Sequence, residues 1–360
     1  MRHFHELTVK EVRRETEDTV SVHFDVPEDL KDTFTFIQGQ YLTLRKEING
    51  EDVRRSYSIC SGVHDGELRV AIKKVEGGRF STYANESLQA GDTLEVMPPM
   101  GKFYVELDGS QQRQHVGFAA GSGITPMLSL IKTTLVSEPE STFTLFYVNR
   151  TSASIIFRDE LEDLKDRYMS RLRVFHLLTR EPSEIPLLGG RIDEERCGQL
   201  CKAFLDVEDT DAFFVCGPEP MIHAVKDQLK ALKVPEDRIH FELFTSPAAG
   251  TLQQKTHVKK TAHNADDKST VQIVLDGSTI QFDLDYDGDN ILDAALGKGA
   301  DLPFSCKGGV CCTCRAKLVE GEVDMDVNYS LEPDEVERGF ILTCQAHPRS
   351  EKVVVDFDQQ

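Results

Sequence analysis

Nine residues near the C-terminus constrain the fold of this chain more than any other feature: Cys306-Lys-Gly-Gly-Val-Cys311-Cys-Thr-Cys314. Cys344 follows thirty residues later. The spacing C-x4-C-x2-C with a distant fourth cysteine is the plant-type arrangement for a [2Fe–2S] centre. Three thiolates must converge from one loop on a compact cluster, and the fourth must arrive from a separate element. Gly308 and Gly309 let the backbone pass close to the sulfides and offer amide N–H groups to them. Zinc is the alternative, but its sites favour two-plus-two pairs with short knuckles over three plus one. Cys306, Cys311, Cys314 and Cys344 are therefore the candidate metal ligands. Cys312 falls outside the spacing and reads as a small packing residue; Cys60, Cys197 and Cys201 read as buried thiols.

The residues around this loop suit a small α+β domain. Residues 271–282 form an expected hairpin around Asp276-Gly277, and Asp289 is placed to N-cap a helix over 291–298. Short strands follow, ending in Val353-Val-Val-Asp. Residues 270–360 thus read as a β-grasp ferredoxin domain. Residues 246–269 mix Pro, Ala, Gly, Gln, Thr, Lys, His and Asp without periodicity, which is linker composition. From Val271 onward there are 7 Lys and Arg against 18 Asp and Glu, a net −11 out of −20 for the whole chain. That acidic block could steer the protein onto a basic partner; a solubilising surface is the plainer reading. The net charge argues against nucleic acid or an anionic membrane as partner. No apolar stretch is long enough for a secretory signal or a membrane span, so a cytoplasmic protein is expected.

The rest of the chain changes grammar once. In residues 1–108, segments starting at Leu7, Val20, Tyr41, Tyr57 and Leu68 alternate apolar and polar residues with a period of two. Asp65-Gly66 is a hairpin turn into the last of them. Only the stretch from Ser81 to Leu88 looks helical, so a small antiparallel β-barrel with one helix is expected. In residues 109–245, strands starting at Val116, Phe143, Leu172 and Ala212 alternate with helices near 127–132, 157–168 and 221–232. That alternation predicts an α/β domain with a parallel sheet covered on both faces.

Each of these domains carries a binding motif. Arg55-Ser-Tyr57-Ser58 lies on a barrel strand, and Gly77-Gly78-Arg-Phe-Ser81 opens the helix. Tyr57 supplies an aromatic plane for an isoalloxazine and Ser58 a small polar group near its N5. Arg55 and the amides around Gly78 and Ser81 suit a pyrophosphate. Ile72, Lys73 and Phe80 are further flavin-binding candidates. An ordinary core tyrosine and an ordinary glycine turn are the alternative. In the α/β domain, Gly121-Ser-Gly123-Ile-Thr125-Pro126 sits between strand and helix, where open sheets bind dinucleotides. It is not the full G-x-G-x-x-G fingerprint. Cys216-Gly217-Pro-Glu-Pro-Met221 repeats the strand–turn–helix arrangement. Cys216 reads as a soft residue beside a hydride path, since no His–acid arrangement near it supports a nucleophile. Arg150 and Arg158 are placed to pair with a 2′-phosphate, which favours NADPH over NADH. A solvated surface charge is the other reading of Arg150.

These three signatures, in this order, resemble the ferredoxin–NADP⁺ reductase superfamily with a plant-type ferredoxin fused at the C-terminus. Within it, Glu76-Gly-Gly-Arg-Phe-Ser, Ala119-Ala-Gly-Ser-Gly-Ile-Thr-Pro-Met-Leu, Ala300-Asp-Leu-Pro-Phe-Ser-Cys-Lys-Gly-Gly-Val-Cys, Asn328-Tyr-Ser-Leu-Glu-Pro-Asp-Glu and Val353-Val-Val-Asp-Phe-Asp are similar to reductase subunits of ring-1,2-phenylacetyl-CoA epoxidases. The resemblance implies FAD at Arg55, Tyr57, Ser58, Gly78 and Ser81, nicotinamide cofactor at Gly121, Thr125, Arg150 and Gly217, and the cluster on the four ligand cysteines. It implies a separate di-iron oxygenase as electron acceptor in aerobic phenylacetate degradation. Hydride from NAD(P)H carries two electrons and the cluster takes one, so a flavin between them converts the currency. No covalent nucleophile is needed, and Ser58 is the one candidate catalytic residue. The competing expectations are a reductase of the same architecture for another hydroxylase or desaturase, and a ferredoxin-like carrier or redox sensor without turnover.

Overall fold

In a computed structural model, residues 3–244 and 268–359 are described. They fall into two compact units, Phe4–Phe244 and the C-terminal residues.

The larger unit begins with strands β1 (His5–Thr16), β2 (Thr19–Asp25), β3 (Tyr41–Ile48), β4 (Glu51–Ser58), β5 (Leu68–Lys73) and β6 (Thr93–Val96). Their order in the sheet is β4-β3-β6-β1-β2-β5, all antiparallel. An Ile59–Val70 bridge just beyond β4 meets β5 and closes the barrel. Period-two alternation points Leu7, Val9, Val20, Val22, Phe24, Leu42 and Leu44 inward, where they are buried. Helix α1 (Arg79–Glu86) plugs this core with Phe80 and Ala84. It starts two residues earlier than its apolar pattern suggests, because Gly78 takes the N-cap position.

The second half is a five-stranded parallel sheet. Strands β7 (Gln114–Ala120), β8 (Thr142–Asn149), β9 (Leu172–Leu178), β10 (Ala212–Gly217) and β11 (Ile239–Leu243) are ordered β11-β10-β7-β8-β9. Helices α2 (Ile124–Ser137), α3 (Arg158–Tyr168), α4 (Glu194–Phe204) and α5 (Glu219–Ala231) connect them. The strand order reverses between β7 and β10, which makes their carboxyl ends the switch point of the sheet. Two elements lie outside the expected series. Helix α4 is N-capped by Asp193, which accepts from the Arg196 amide at 2.8 Å, and it buries only Cys197, Leu200 and Cys201. So narrow an apolar stripe, with Gly198 inside it, makes a faint periodic signal. Edge strand β11 places charged Glu242 among apolar neighbours and so breaks the run a buried strand should show.

The C-terminal unit holds β12 (Lys268–Leu275), β13 (Ser278–Asp285), α6 (Ile291–Gly297), β14 (Arg315–Glu320), β15 (Val323–Met325), α7 (Pro333–Glu337), β16 (Phe340–Leu342), β17 (Ala346–Pro348) and β18 (Lys352–Asp356). The main sheet runs β13-β12-β18-β14-β16, with β15 and β17 paired apart from it. Asp276 and Gly277 have φ of 50° and 70°, which a tight two-residue hairpin turn requires. The cap of α6 differs from expectation. Asn290, not Asp289, accepts from the Asp293 amide at 2.9 Å. Strand β12 also begins at Lys268, inside the stretch that reads as linker; the rest of that stretch, apart from Ser269, lies outside the described residues.

Barrel and parallel sheet meet at a group of charges. Arg69 on β5 reaches both carboxylate oxygens of Glu160 on α3, at 2.8 and 2.9 Å. Lys132 on α2 joins Glu160 at 2.8 Å and Asp65 at 2.5 Å. Glu160 is largely enclosed, and Arg69 and Lys132 together hold its carboxyl below the ordinary range against the opposing effect of burial. Replacing Arg69 by Met should leave Glu160 with Lys132 alone. We expect a loss of about 2 kcal/mol in denaturant unfolding, below the 3–5 of a fully buried pair. A double-mutant cycle with Glu160→Gln should show a favourable coupling between the two positions; additive effects would mean that the pair contributes nothing.

Candidate functional site

Strand β4 delivers Arg55, Tyr57 and Ser58 to one end of the barrel. Tyr57 is half-buried with its ring 5.6 Å from that of Phe80, and Ser58 is 2 % exposed. Arg55 donates to the Arg54 carbonyl at 2.6 Å. The turn before α1 is drawn tight by Ser81, whose hydroxyl accepts from the Val75 amide at 3.1 Å and donates to the Gly78 carbonyl at 3.3 Å. A Cβ on Gly78 would stand 2.4 Å from that hydroxyl. No side chain caps α1, so its first-turn amides suit a phosphate. Ile72 and Phe80 turn their side chains into the barrel core, and Lys73 pairs with Asp18 at 3.4 Å. Of these three, Phe80 meets the candidate flavin residues through its ring contact with Tyr57.

The nicotinamide candidates collect at the switch point. Gly121 has φ of 54°, and its carbonyl accepts from the Tyr147 hydroxyl at 3.0 Å. Thr125 donates to the Ser122 carbonyl at 3.0 Å. Pro126 occupies the first turn of α2, where its missing N–H costs nothing. A Cβ on Gly123 would lie 2.1 Å from the Cys216 carbonyl, and one on Gly217 would lie 2.7 Å from the Met221 methyl and 3.0 Å from the Ala120 Cβ. Glycine at both positions is what lets the two strand–helix turns touch. Asn149, buried at the end of β8, keeps an amide nitrogen without a well-formed hydrogen bond. Arg150 and Arg158 are exposed on the same carboxyl side. Arg180, which sequence reasoning passes over, donates its backbone N–H to the Arg150 carbonyl at 2.8 Å. It follows β9 as Arg150 follows β8, and that parallel was its signal. Exposed cations beyond the carboxyl ends of β8 and β9, and backbone free of side chains at the β7–β10 switch point, fit a dinucleotide.

The residue that sequence reasoning does not find is Glu242. It stands on β11 opposite Cys216 in register, and Ser58 from the barrel donates to its Oε2 at 3.0 Å. The residue keeps some exposed surface, but its carboxyl is enclosed. That enclosure raises its pKa to about 7, with the Ser58 hydrogen bond offsetting only part of the rise. Burial, reinforced by Glu242, pushes the Cys216 thiol up, so Cys216 is neutral and no thiolate nucleophile stands here. The seam between barrel and sheet therefore contains a hydroxyl–carboxyl pair able to hold or release a proton near neutrality.

In the C-terminal unit the four candidate ligands come together as two pairs. The Cys311 thiol hydrogen-bonds Cys306, which, with the Gly308, Val310 and Cys311 amides, lowers Cys306 below the ordinary thiol range despite burial. Cys314 does the same for Cys344. Cys311 also acts on Cys314, and Cys306 on Cys344, so the pairs are neighbours. The Gly308 amide donates to Cys306 Sγ at 3.3 Å. Lys307, Gly309 and Cys312 all have positive φ, which wraps the loop around the sulfurs. Cys312 turns away and donates to the Ser330 carbonyl at 3.3 Å. Among the described residues no three His, Cys, Asp or Glu side chains are grouped around a point as one metal ion would require. Two irons that share four thiolates ask instead for two adjacent pairs, and these residues fit that group. Cys60, Cys197 and Cys201 are buried elsewhere.

Three family models match successive parts of the chain. The oxidoreductase FAD-binding domain family matches residues 6–104, the oxidoreductase NAD-binding domain family 118–227 and the 2Fe-2S iron-sulfur cluster binding domain family 273–349. A subunit of the 1,2-phenylacetyl-CoA epoxidase of Escherichia coli K12 is 47% identical over 355 residues, 99% of this chain and 98% of the relative. The chain belongs to the ferredoxin–NADP⁺ reductase superfamily, in the branch with a C-terminal [2Fe–2S] domain. The ferredoxin reductase component of the 3-ketosteroid-9-alpha-monooxygenase of Rhodococcus rhodochrous is 34% identical, over 98% of this chain and 96% of its own. The solved structure of phthalate dioxygenase reductase shares the fold across 98% of both chains, with a TM-score of 0.61 and 24% identity. As a member of this superfamily, the protein is an iron–sulfur flavoprotein oxidoreductase with domains for FAD, NAD(P)H and a [2Fe–2S] cluster. Among the described residues no helix is long and apolar enough to cross a membrane.

The raised pKa of Glu242 has a consequence for stability. Below its ordinary pKa of 4.5 the carboxyl is protonated whether the chain is folded or not. Between 4.5 and about 7 the folded chain keeps a proton that the unfolded chain has lost, so stability falls as pH rises through that window. Glu242→Gln should flatten this slope by up to about 3 kcal/mol across the window. Chemical unfolding at pH 5 and pH 8 measures it, and equal slopes in variant and wild type would count against an enclosed carboxyl.

Proposed function

We propose that this protein takes hydride from NADPH at the switch point of its parallel sheet and delivers single electrons to a di-iron oxygenase acting on an aromatic CoA thioester, phenylacetyl-CoA, in the cytoplasm. The observation that carries the reading is the full-length 47% identity to a component of the E. coli epoxidase. Bound FAD supplies the conversion from a two-electron donor to a one-electron acceptor. The chain's own residues bind, orient and manage protons. Arg55, Tyr57 and the uncapped amides of α1 hold the flavin, with Gly78 and Ser81 shaping the turn. Gly121, Gly123, Thr125 and Gly217 keep the nicotinamide turn open, while Arg150, Arg158 and Arg180 favour a 2′-phosphate. Ser58 and Glu242 keep a proton at the seam. Cys306, Cys311, Cys314 and Cys344 ligate the cluster, and the acidic C-terminal segment suits a basic face on the oxygenase.

The similarity to the steroid monooxygenase component supports a second reading, a reductase of the same architecture serving another hydroxylase. A carrier without turnover has less support, since the Ser58–Glu242 pair and the glycine-lined switch point would then serve nothing.

A visible spectrum of anaerobically purified protein tests the electron path. Flavin and iron–sulfur bands should both be present and bleach together on stoichiometric NADPH, and more slowly with NADH. Cluster bands without flavin would leave only a carrier. In stopped flow, Ser58→Ala should slow flavin reduction by NADPH about tenfold or more, the loss expected for one hydrogen bond to a charged group. An unaltered rate would remove Ser58 from the chemistry.

A further inference from the structure

Gln345 follows the fourth ligand cysteine, between β16 and β17, and is 8 % exposed. Its backbone is pinned on both sides: its N–H donates to the Leu342 carbonyl and its carbonyl accepts from the Asp326 amide, each at 2.9 Å. Its side-chain nitrogen lies 3.0 Å from the Lys307 carbonyl, 2.8 Å from the Cys344 carbonyl and 3.5 Å from Cys344 Sγ. One N–H of the amide thus goes to the Lys307 carbonyl on the ligand loop, and the other is shared between the carbonyl and the ligand sulfur of Cys344. Packing restrains the stem as well, since a Cβ on Gly309 would already stand 3.3 Å from Gln345 Cγ. Lys307, which supplies one of the carbonyls, is anchored through its ammonium to Asp293 on α6 at 2.6 Å.

We propose that Gln345 is a positioning residue for the cluster, which clasps the Cys306 loop to the Cys344 segment and donates an N–H to the Cys344 sulfur, raising the reduction potential. The proposal rests on the reading of the four cysteines as cluster ligands. The physical argument is electrostatic. Reduction adds negative charge that is shared by the ligand sulfurs, and a hydrogen bond to a charged acceptor is stronger than one to a neutral acceptor. A donor fixed on a sulfur therefore favours the reduced cluster, as hydrogen bonding to sulfur does in iron–sulfur proteins generally. An amide does this without titrating, so the effect holds across the physiological pH range. Conformational cost is small because the two carbonyls already hold the amide in place.

The test uses full-length holoprotein, with the cluster's visible and EPR spectra in wild type checking the ligand reading on their own. Gln345→Leu keeps the size and removes the donor. With the cluster assembled, its midpoint potential should drop by about tenfold in the reduction equilibrium, which for a one-electron couple is about 59 mV. Gln345→Glu should lower it further, because a carboxylate would face the sulfur. An unchanged potential in a leucine variant with intact cluster bands would overturn the proposal and leave Gln345 a packing residue. If the leucine variant assembles no cluster, wild-type protein carrying ¹⁵N in its glutamine side chains decides. A ¹⁵N hyperfine coupling to the reduced cluster supports the hydrogen bond, and its absence overturns it.

Discussion

Arg69 is the contact on which the geometry of the larger unit depends. It lies on a barrel strand, yet its guanidinium reaches Glu160 on the first turn of α3, and its carbonyl accepts from the Cys60 amide at 2.8 Å where the barrel closes. One residue thus closes the barrel and fastens it to the sheet. The apolar contacts around it are non-directional; the charge-assisted contact of its Nη2 with both Glu160 oxygens is directional. Neighbouring polar contacts reinforce the same alignment, including Val63 to Thr133 at 3.1 Å and Gln38 to the Val105 carbonyl at 2.9 Å.

That alignment is what brings Ser58 to Glu242. The two residues are 184 positions apart and come from different sheets. A small rotation of barrel against sheet would separate them, and the carboxyl would then have no hydrogen bond from the barrel. Close backbone approach does similar work within the sheet. Gly123 and Gly217 have no side chain to hold the β7 and β10 turns apart, so backbone, Ala120 and the Met221 methyl meet at the switch point. Backbone N–H groups and small side chains are what an extended dinucleotide needs on such a surface.

The C-terminal unit meets a different demand. Its ligand loop has to bend around sulfur atoms, and the left-handed backbone at Lys307, Gly309 and Cys312 produces that bend. The surrounding contacts keep it from relaxing. Lys307 is tied to Asp293, Cys312 to the Ser330 carbonyl, and Ser330 in turn to the Gly309 carbonyl at 3.2 Å. Arg315, next to Cys314, is paired with the buried Glu335 of α7. The four thiols are thus held in two pairs by a shell of short polar contacts around a modest apolar core.

The sequence by itself determined what depends on local pattern. Period-two alternation marks the barrel strands, buried apolar runs before glycine turns mark β7 and β10, and the cysteine spacing marks the ligand loop. These signals are local because each is set by backbone geometry within a few residues. Where the local signal is weak, sequence reasoning falls short: α4 carries a narrow stripe, β11 carries a charge, and at α6 two adjacent capping residues compete, with Asn290 taking the role. Only the tertiary structure decided that Glu242 meets Ser58, that Arg180 stands beside Arg150, and that Gln345 reaches Cys344 Sγ. The first two join residues from separate strands, and even the last, between chain neighbours, depends on the Lys307 carbonyl from a distant loop. Long-range proximity of this kind is set by how whole elements pack, and no spacing in the chain encodes it.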